Sequence, residues 1–319
     1  MKTAVSPQAI SVGNGAKRKL RVRLKLHYQL FIMLLVPLAF ILVFAYAPMV
    51  GAVIAFKNYN FNLGIWDSEW VGLQNFIRFV RYPRFWNLIQ NTLVISVYSL
   101  VAGFPMPIIL ALSLNCVRNR YFKKSVQMLT YLPYFISTVV LCGMLFQFFN
   151  PRIGFLGQLI SRSRGQLTDI FLNAKSFPHI MVWSGIWQGM GFSSILYISI
   201  LASVSPELHE AAIIDGASRF QRILHIDFPA LLPTATIMLI MSMGGILNTG
   251  FEKILLLQNN GNTIYSEVID TYVYKVGMTA TIPDQGYATA IGLFKSVIGF
   301  ILLLVVNGIA ARVSENSLW

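Results

Sequence analysis

The sequence predicts an all-α, polytopic integral membrane protein with six transmembrane helices and both termini in the cytoplasm. Composition comes first: hydrophobic residues make up 55% of the 319 residues and charged residues only 12%, against about 25% charged in a soluble globular chain. Second, apolar runs long enough for a membrane helix, about 20 residues, recur near 28–56, 88–114, 126–149, 179–204, 231–257 and 286–311. They are continuous, whereas a transmembrane barrel reads as short alternating strands. Third, basic residues collect at the N-terminus and in the link after the second run, which orients the chain.

Taken in order, residues 1–26 form a basic cytoplasmic tail carrying Lys2, Lys17, Arg18, Lys19, Arg21, Arg23 and Lys25 with almost no acid. The first run has "AYA" at 45–47, like a leader cleavage site, but it is longer than a secretory apolar region and Pro48 follows. It therefore reads as an uncleaved helix. The link after the second run, "NCVRNRYFKKS", carries Arg118, Arg120, Lys123 and Lys124 and belongs inside. Arg78, Arg81, Arg84, Arg152, Arg162 and Arg164 fall in exterior loops and weaken the asymmetry; the N-terminal tail decides it. The formal charge of +13 sits mostly in tails and loops flanking spans, so nucleic acid is not implied as a partner. Cys116 lies near the inner surface and Cys142 inside a span, too far apart to pair, and neither has metal-ligand neighbours.

Between the fourth and fifth runs stands "SPELHEAAIIDGASRFQRILHIDFPALLP", residues 205–233. Ser205-Pro206-Glu207 is a helix start: an N-cap, a proline at the first helical position and an acid in the first turn. That helix should stop at Gly216 in a left-handed cap. Ser218 and Gln221 have capping-box spacing and open a second helix, with Phe220, Ile223 and Leu224 on one side and Arg219 and Arg222 available to water. Pro229 should end it and Pro233 begin the fifth span. A helix-turn-helix can read DNA, but this one is tethered too closely to two spans to enter a groove. Small Ala211, Ala212 and Ala217 beside Glu210 and Asp215 would let a partner backbone approach, as a docking knob requires.

The stretch "EAAIIDGASRFQRILHIDFPALLP" resembles the EAA loop of permease subunits in binding-protein-dependent ABC importers. Glu210, Ala211, Ala212, Asp215, Gly216, Ala217, Ile226, Pro229 and Pro233 fall on that pattern, and the resemblance adds Phe220 of the second helix to the coupling surface. "FWNLIQNTLVISVYSL", "NTGFEKILLLQN", "EVIDTYVYKVGM", "YATAIGLFKSVIGFILLLVVN" and the ending "SENSLW" are similar to the complex-carbohydrate and oligosaccharide subgroup. The resemblance implies a six-helix permease domain over 27–312, with coupling loop 205–233 and cytoplasmic tail 313–319, in a bacterial cell membrane. It implies a cytoplasmic ABC ATPase dimer in contact with Glu210, a second permease subunit, an extracytoplasmic solute-binding protein and an oligosaccharide substrate. The chain itself would bind no cofactor, with ATP and magnesium on the partner ATPase.

The sequence has no G-x-x-x-x-G-K-[ST] loop to cradle ATP phosphates, so any ATP-driven transport needs another subunit. Nor does it offer a nucleophile, base and orienting acid; His27, His179, His209 and His225 are scattered. A secondary transporter is the rival class, and it would need ionisable groups deep in the spans. Lys295 is the clearest, with Glu252 and Lys253 near the end of the fifth; a Glu252–Lys295 pair is one expectation, snorkelling of Lys295 the other. For a sugar path, hydrogen-bonding and aromatic residues on the later spans are candidates: Trp183, Trp187, Gln188, Ser193 and Ser194, then Asn248, Phe251 and Glu252, then Tyr272 and Tyr274. Interfacial aromatic belts account for the same residues. Gly185, Gly189 and Gly191 suit close helix packing, and Gly244 and Gly245 suit a bend in the fifth helix. Open alternatives are an ABC permease for another solute and an ion-coupled secondary sugar transporter.

Overall fold

A computed structural model describes residues 28–313, with side chains described to residue 308. The basic tail over 1–26 and, apart from Val313, the tail over 313–319 lie outside the described residues. The chain divides into two compact units, Met1–Val53 and Ile54–Trp319. In the first unit, α1 (Tyr28–Ile41) contains Pro37 and leads into a widened turn, Leu42–Tyr46; its side chains are exposed. Missing the N–H at Pro37 removes one ladder bond, a change a long apolar helix tolerates.

The second unit opens with a small hairpin, Lys57–Asn58 against Glu69–Trp70, an addition to the all-helical plan. Buried Lys57 stabilises it, donating to the carbonyls of Ile65 at 2.8 Å and Trp66 at 2.7 Å. Then follow α2 (Gln74–Val80), α3 (Phe85–Gly103), α4 (Pro105–Asn115), α5 (Arg120–Tyr131), α6 (Thr138–Phe149) and α7 (Phe155–Arg164). After them come α8 (Phe177–Ser203), α9 (Pro206–Ile214), α10 (Arg219–Arg222), α11 (Phe228–Gly244), α12 (Phe251–Leu257), α13 (Ile269–Tyr274) and α14 (Gln285–Val313). Five helical runs are long and apolar enough to cross a membrane among the described residues, or six if one bent pair counts as a single span.

That bent pair corrects the third span. A continuous helix is expected over 126–149, but Arg120–Phe135 and Thr138–Phe149 meet at 104°. Pro133 cannot extend the hydrogen-bond ladder. Ile136 and Ser137 are extended, and the Ser137 hydroxyl restarts the helix by accepting the Val140 N–H at 3.4 Å. The Gln188 amide then fills the free Ile136 carbonyl at 2.8 Å.

The fifth span is corrected at both ends. Pro229 does not end the second loop helix: helical structure runs from Arg219 to Gly244. The five-residue turn Ile223–Asp227 is wide, its closing bond running from the Phe228 N–H to the Ile223 carbonyl. The register change falls where the proline lacks its donor, so the ring is accommodated without a break. At the other end Gly244 and Gly245 stop the helix instead of bending it, and Gly250 turns the chain through the left-handed region (φ 78°) into α12.

The stretch expected as an outer loop after residue 257 folds back against α3. Asn91 donates to the carbonyls of Ile264 and Glu267, both at 2.9 Å, and the Thr92 hydroxyl accepts the Ile269 N–H at 3.1 Å. Two apolar clusters pack this half, one around Phe177, Ile254 and Val268 and one around Phe79, Leu88 and Ile291. A third, around Ala111, Tyr197 and Leu231, packs the half next to the 205–233 segment. Among the three expected packing glycines, Gly191 has the tight neighbour, since a Cβ there would run into the Thr130 carbonyl; a Cβ at Gly185 would lie in ordinary contact with the Lys253 ammonium, 3.6 Å away, and Gly189 faces open space.

Candidate functional site

The 205–233 segment is built as its residues dictate. The Ser205 hydroxyl accepts the Glu207 N–H at 3.3 Å and Pro206 takes the first position of α9. At the other end Gly216 is left-handed (φ 80°), the Ala217 N–H returns to the Ala212 carbonyl at 2.8 Å and the Gly216 N–H to Ile213 at 3.0 Å. This double closure satisfies the carbonyls a helix end leaves open. The reciprocal box follows: the Ser218 N–H donates to Gln221 Oε1 at 2.7 Å, and the Gln221 N–H to the Ser218 hydroxyl at 3.3 Å.

Around the glycine turn the surface is apolar and open. Ile214 is 86% exposed and Phe220 72%. Leu208 and Ile213 stand with them, and Glu210, Ala211 and Asp215 are also exposed. Ala212, Ala217 and Ile226 are half-buried, and Pro229 is exposed. Arg219 reaches solvent, but Arg222 does not do so freely: its Nε is buried without a hydrogen-bond partner. Open apolar patches with polar rims are a feature that interaction surfaces share.

Beneath the patch lies a residue not singled out from the sequence. Asp227 is 3% exposed and accepts the Asn115 amide at 3.1 Å, while His209 Nε2 stands 3.4 Å from the same oxygen. One carboxylate thereby ties α9 to the end of α4 and to the root of the fifth span. The available signal was a lone acid at the edge of an apolar run.

Among the spans, two cavities share Asn248. One, of about 990 Å³, is lined by Ser96, Ser99, Tyr134, Phe192, Ser193 and Asn248 among others. The second, of about 790 Å³, includes Asn248, Phe251, Asp270, Tyr274, Lys295 and Ser296. Their walls mix apolar surface with a few polar groups, as ligand cavities do.

The sequence candidates separate accordingly. Ser193, Asn248, Phe251 and Tyr274 line these cavities, and the Phe251 and Tyr274 rings meet edge to face with centroids 5.3 Å apart. Ser194 is buried against the Gly191 carbonyl and Gln188 bridges the third-span bend. Trp183 donates to the Tyr98 hydroxyl at 2.8 Å, and Trp187 is exposed outside both linings. Tyr272 is buried, stacked on Tyr82 with centroids 4.7 Å apart. It belongs to a third cavity of about 700 Å³ with Arg78, Arg81 and Tyr287. Arg78 there pairs with Asp284 at 2.6 Å and sits over the Tyr287 ring, and burial pushes the Tyr82 phenol above its ordinary range.

The expected Glu252–Lys295 pair does not form. Glu252 is exposed, and Lys295 bonds Asp270 at 2.6 and 2.8 Å and Asn248 at 3.0 Å. The fold-back of α13 brings Asp270 to the last span, a juxtaposition that a reading of 258–285 as loop hides. Lys253 is buried and donates to the Met181 carbonyl at 3.2 Å. Among the described residues no group of His, Cys, Asp and Glu is placed to hold a metal ion, and Cys116 and Cys142 are free thiols.

Comparison with known proteins bears on this arrangement. Residues 103–315 match the family model described as "Binding-protein-dependent transport system inner membrane component". Protein LplB of Bacillus subtilis (strain 168) is 40% identical over 290 residues, 91% of each chain. The polygalacturonan/rhamnogalacturonan transport system permease protein YteP of the same organism is 38% identical over the whole of both chains. Among solved structures, a chain of a bacterial alginate ABC transporter in complex with alginate pentasaccharide-bound periplasmic protein superposes with a TM-score of 0.85 at 34% identity. That match covers 94% of this chain and all of the other.

Proposed function

This chain belongs to the family of binding-protein-dependent transport system inner membrane components, and from that premise we propose that it is the multi-pass permease subunit of an ATP-driven ABC importer for oligosaccharides. The observation that carries the reading is the 205–233 knob: two capped helices about a left-handed glycine, an open apolar patch with Glu210 on its rim, and Asp227 anchoring it to two spans. A knob of that kind transmits movement, where a flexible loop would absorb it.

In this mechanism a cytoplasmic ATPase dimer, carrying ATP and magnesium, grips Glu210, Ala211, Ala212, Asp215, Gly216, Ala217 and Phe220. Ile226 and Pro229 carry the movement into the fifth span. Closure of the ATPase pulls the spans from inward-open to outward-open, and hydrolysis resets them. The termini and the knob lie in the cytoplasm, and the 27–312 domain pairs with a second permease. An extracytoplasmic binding protein presents the sugar on the far side, which then passes the cavities that meet at Asn248. YteP is named for polygalacturonan and rhamnogalacturonan, and a solved transporter of the same likeness is described as importing the acidic polysaccharide alginate, so oligosaccharides of that type head the substrate list.

The Asp270–Lys295 pair within the bundle favours one second reading, an ion-coupled carrier, because such carriers place charges inside their spans. Uptake of a labelled oligosaccharide panel by cells decides between them. The ABC reading expects uptake to fail on ATP depletion and on loss of the binding protein, and to survive collapse of the ion gradients. The reverse pattern would replace it.

A further inference from the structure

Lys295 lies near the middle of the Gln285–Gly308 span, a run of 24 residues. A charge at that depth is costly unless paired, and it marks a functional position by default. Its ammonium has three hydrogens, and three acceptor atoms surround it: both Asp270 carboxylate oxygens, at 2.6 and 2.8 Å, and Asn248 Oδ1 at 3.0 Å. These groups come from three elements: the break after α11, the folded-back α13 and the last span.

A brace alone would sit in packed interior. This trio instead lines the cavity of about 790 Å³, and the Lys295 and Asp270 side chains keep 13% and 23% of their surface open. Asn248 also lines the larger cavity, so the trio stands where the two meet. Phe251 and Tyr274 supply aromatic faces beside it.

The chemistry of the pair selects its ligand. Aspartate and lysine together carry no net charge. Each carboxylate oxygen keeps a spare lone pair after serving the ammonium, and the ammonium can share its hydrogens with an incoming oxygen. A sugar hydroxyl both donates and accepts, so neighbouring hydroxyls satisfy both partners without separating them. A carboxylate would have to displace Asp270 or sit beside it as a like charge, which a buried site opposes.

We propose that Asp270, Lys295 and Asn248 form a station on the translocation path that reads the hydroxyls of a sugar ring stacked against Phe251 and Tyr274. It does not read the carboxylate of a uronate. The inference rests on the oligosaccharide-import reading above.

The test uses the complete importer in proteoliposomes and a trisaccharide panel: oligogalacturonate, its uncharged methyl ester, and an arabinan trimer. Asp270→Asn and Lys295→Met should raise KM about tenfold, the loss of roughly one good hydrogen bond to a charged group. The galacturonate and its ester should be affected alike. A Lys295→Met defect confined to the acidic trimer would overturn the proposal in favour of carboxylate recognition. The charge-swapped Asp270→Lys/Lys295→Asp double variant separates recognition from bracing. The proposal expects it to recover the thermal stability of the permease while KM stays raised; recovery of both to wild-type values would make the pair a brace only. Failure of the wild-type complex on the whole panel with ATP present would count against the underlying oligosaccharide reading.

Discussion

Asp227 and His209 meet at 3.4 Å within the 205–233 segment between the fourth and fifth spans, and the same Asp227 oxygen accepts the Asn115 amide. The contact joins the first loop helix to the helix that continues into the fifth span. Force applied at the exposed turn therefore reaches the bundle through a side-chain tie as well as through the backbone.

Removing that tie has a defined expected cost. Asp227→Ala leaves the half-buried Asn115 amide without its acceptor, a loss of about 1–3 kcal/mol at most. It should lower the melting temperature of the detergent-purified chain by several degrees. His209→Ala should cost less, because the His209 side chain is already 25% exposed. Melting curves that rank the two the other way would remove Asp227 from its anchoring role.

Gly216 gives a second prediction. Its φ of 80° costs an L-residue about 1–2 kcal/mol, so Gly216→Ala should insert and transport with a modest loss. Gly216→Pro cannot adopt that angle and loses the N–H that reaches the Ile213 carbonyl. Inserted chain with ATP hydrolysis uncoupled from uptake is the expected outcome, read as sugar imported per ATP hydrolysed. Wild-type stoichiometry in the proline variant would show that the turn need not be rigid.

Gly191 lies in the fourth span against the Thr130 carbonyl, with no room for a Cβ. Gly191→Leu should push α5 away from α8 and destabilise the chain by about 1–3 kcal/mol. Gly189→Leu, at a position open to space, should be nearly neutral. Thermal unfolding of the two variants side by side checks the contrast.

Much of this was legible in the sequence because the bilayer imposes simple rules. Five of the six apolar runs map onto the expected spans, with the fifth shortened, and Ser205, Gly216 and the Ser218–Gln221 box cap the loop helices as their chemistry requires. What stayed hidden depends on distant contacts. The bend at Pro133 is stabilised by Gln188 from another span, and the fold-back of 258–279 by Asn91 and Thr92. Asp270 carries no local signal because its partner Lys295 lies 25 residues away, and Pro229 has the look of a helix stop because the wide turn that absorbs its missing donor leaves no mark in the local sequence. Local signals locate caps and spans; they do not say which polar groups meet inside the bundle.

The most direct test of the central claim is co-purification. The tagged chain is drawn from detergent-solubilised native membranes in three forms: wild type, Glu210→Lys and Ile214→Asp. The account predicts that an ABC ATPase accompanies the wild-type chain and that both variants lose it by about tenfold or more, while still retaining a second permease. Wild-type chain that purifies without any ATPase, or variants that keep it in full, would contradict the assignment of the 205–233 knob as the coupling site.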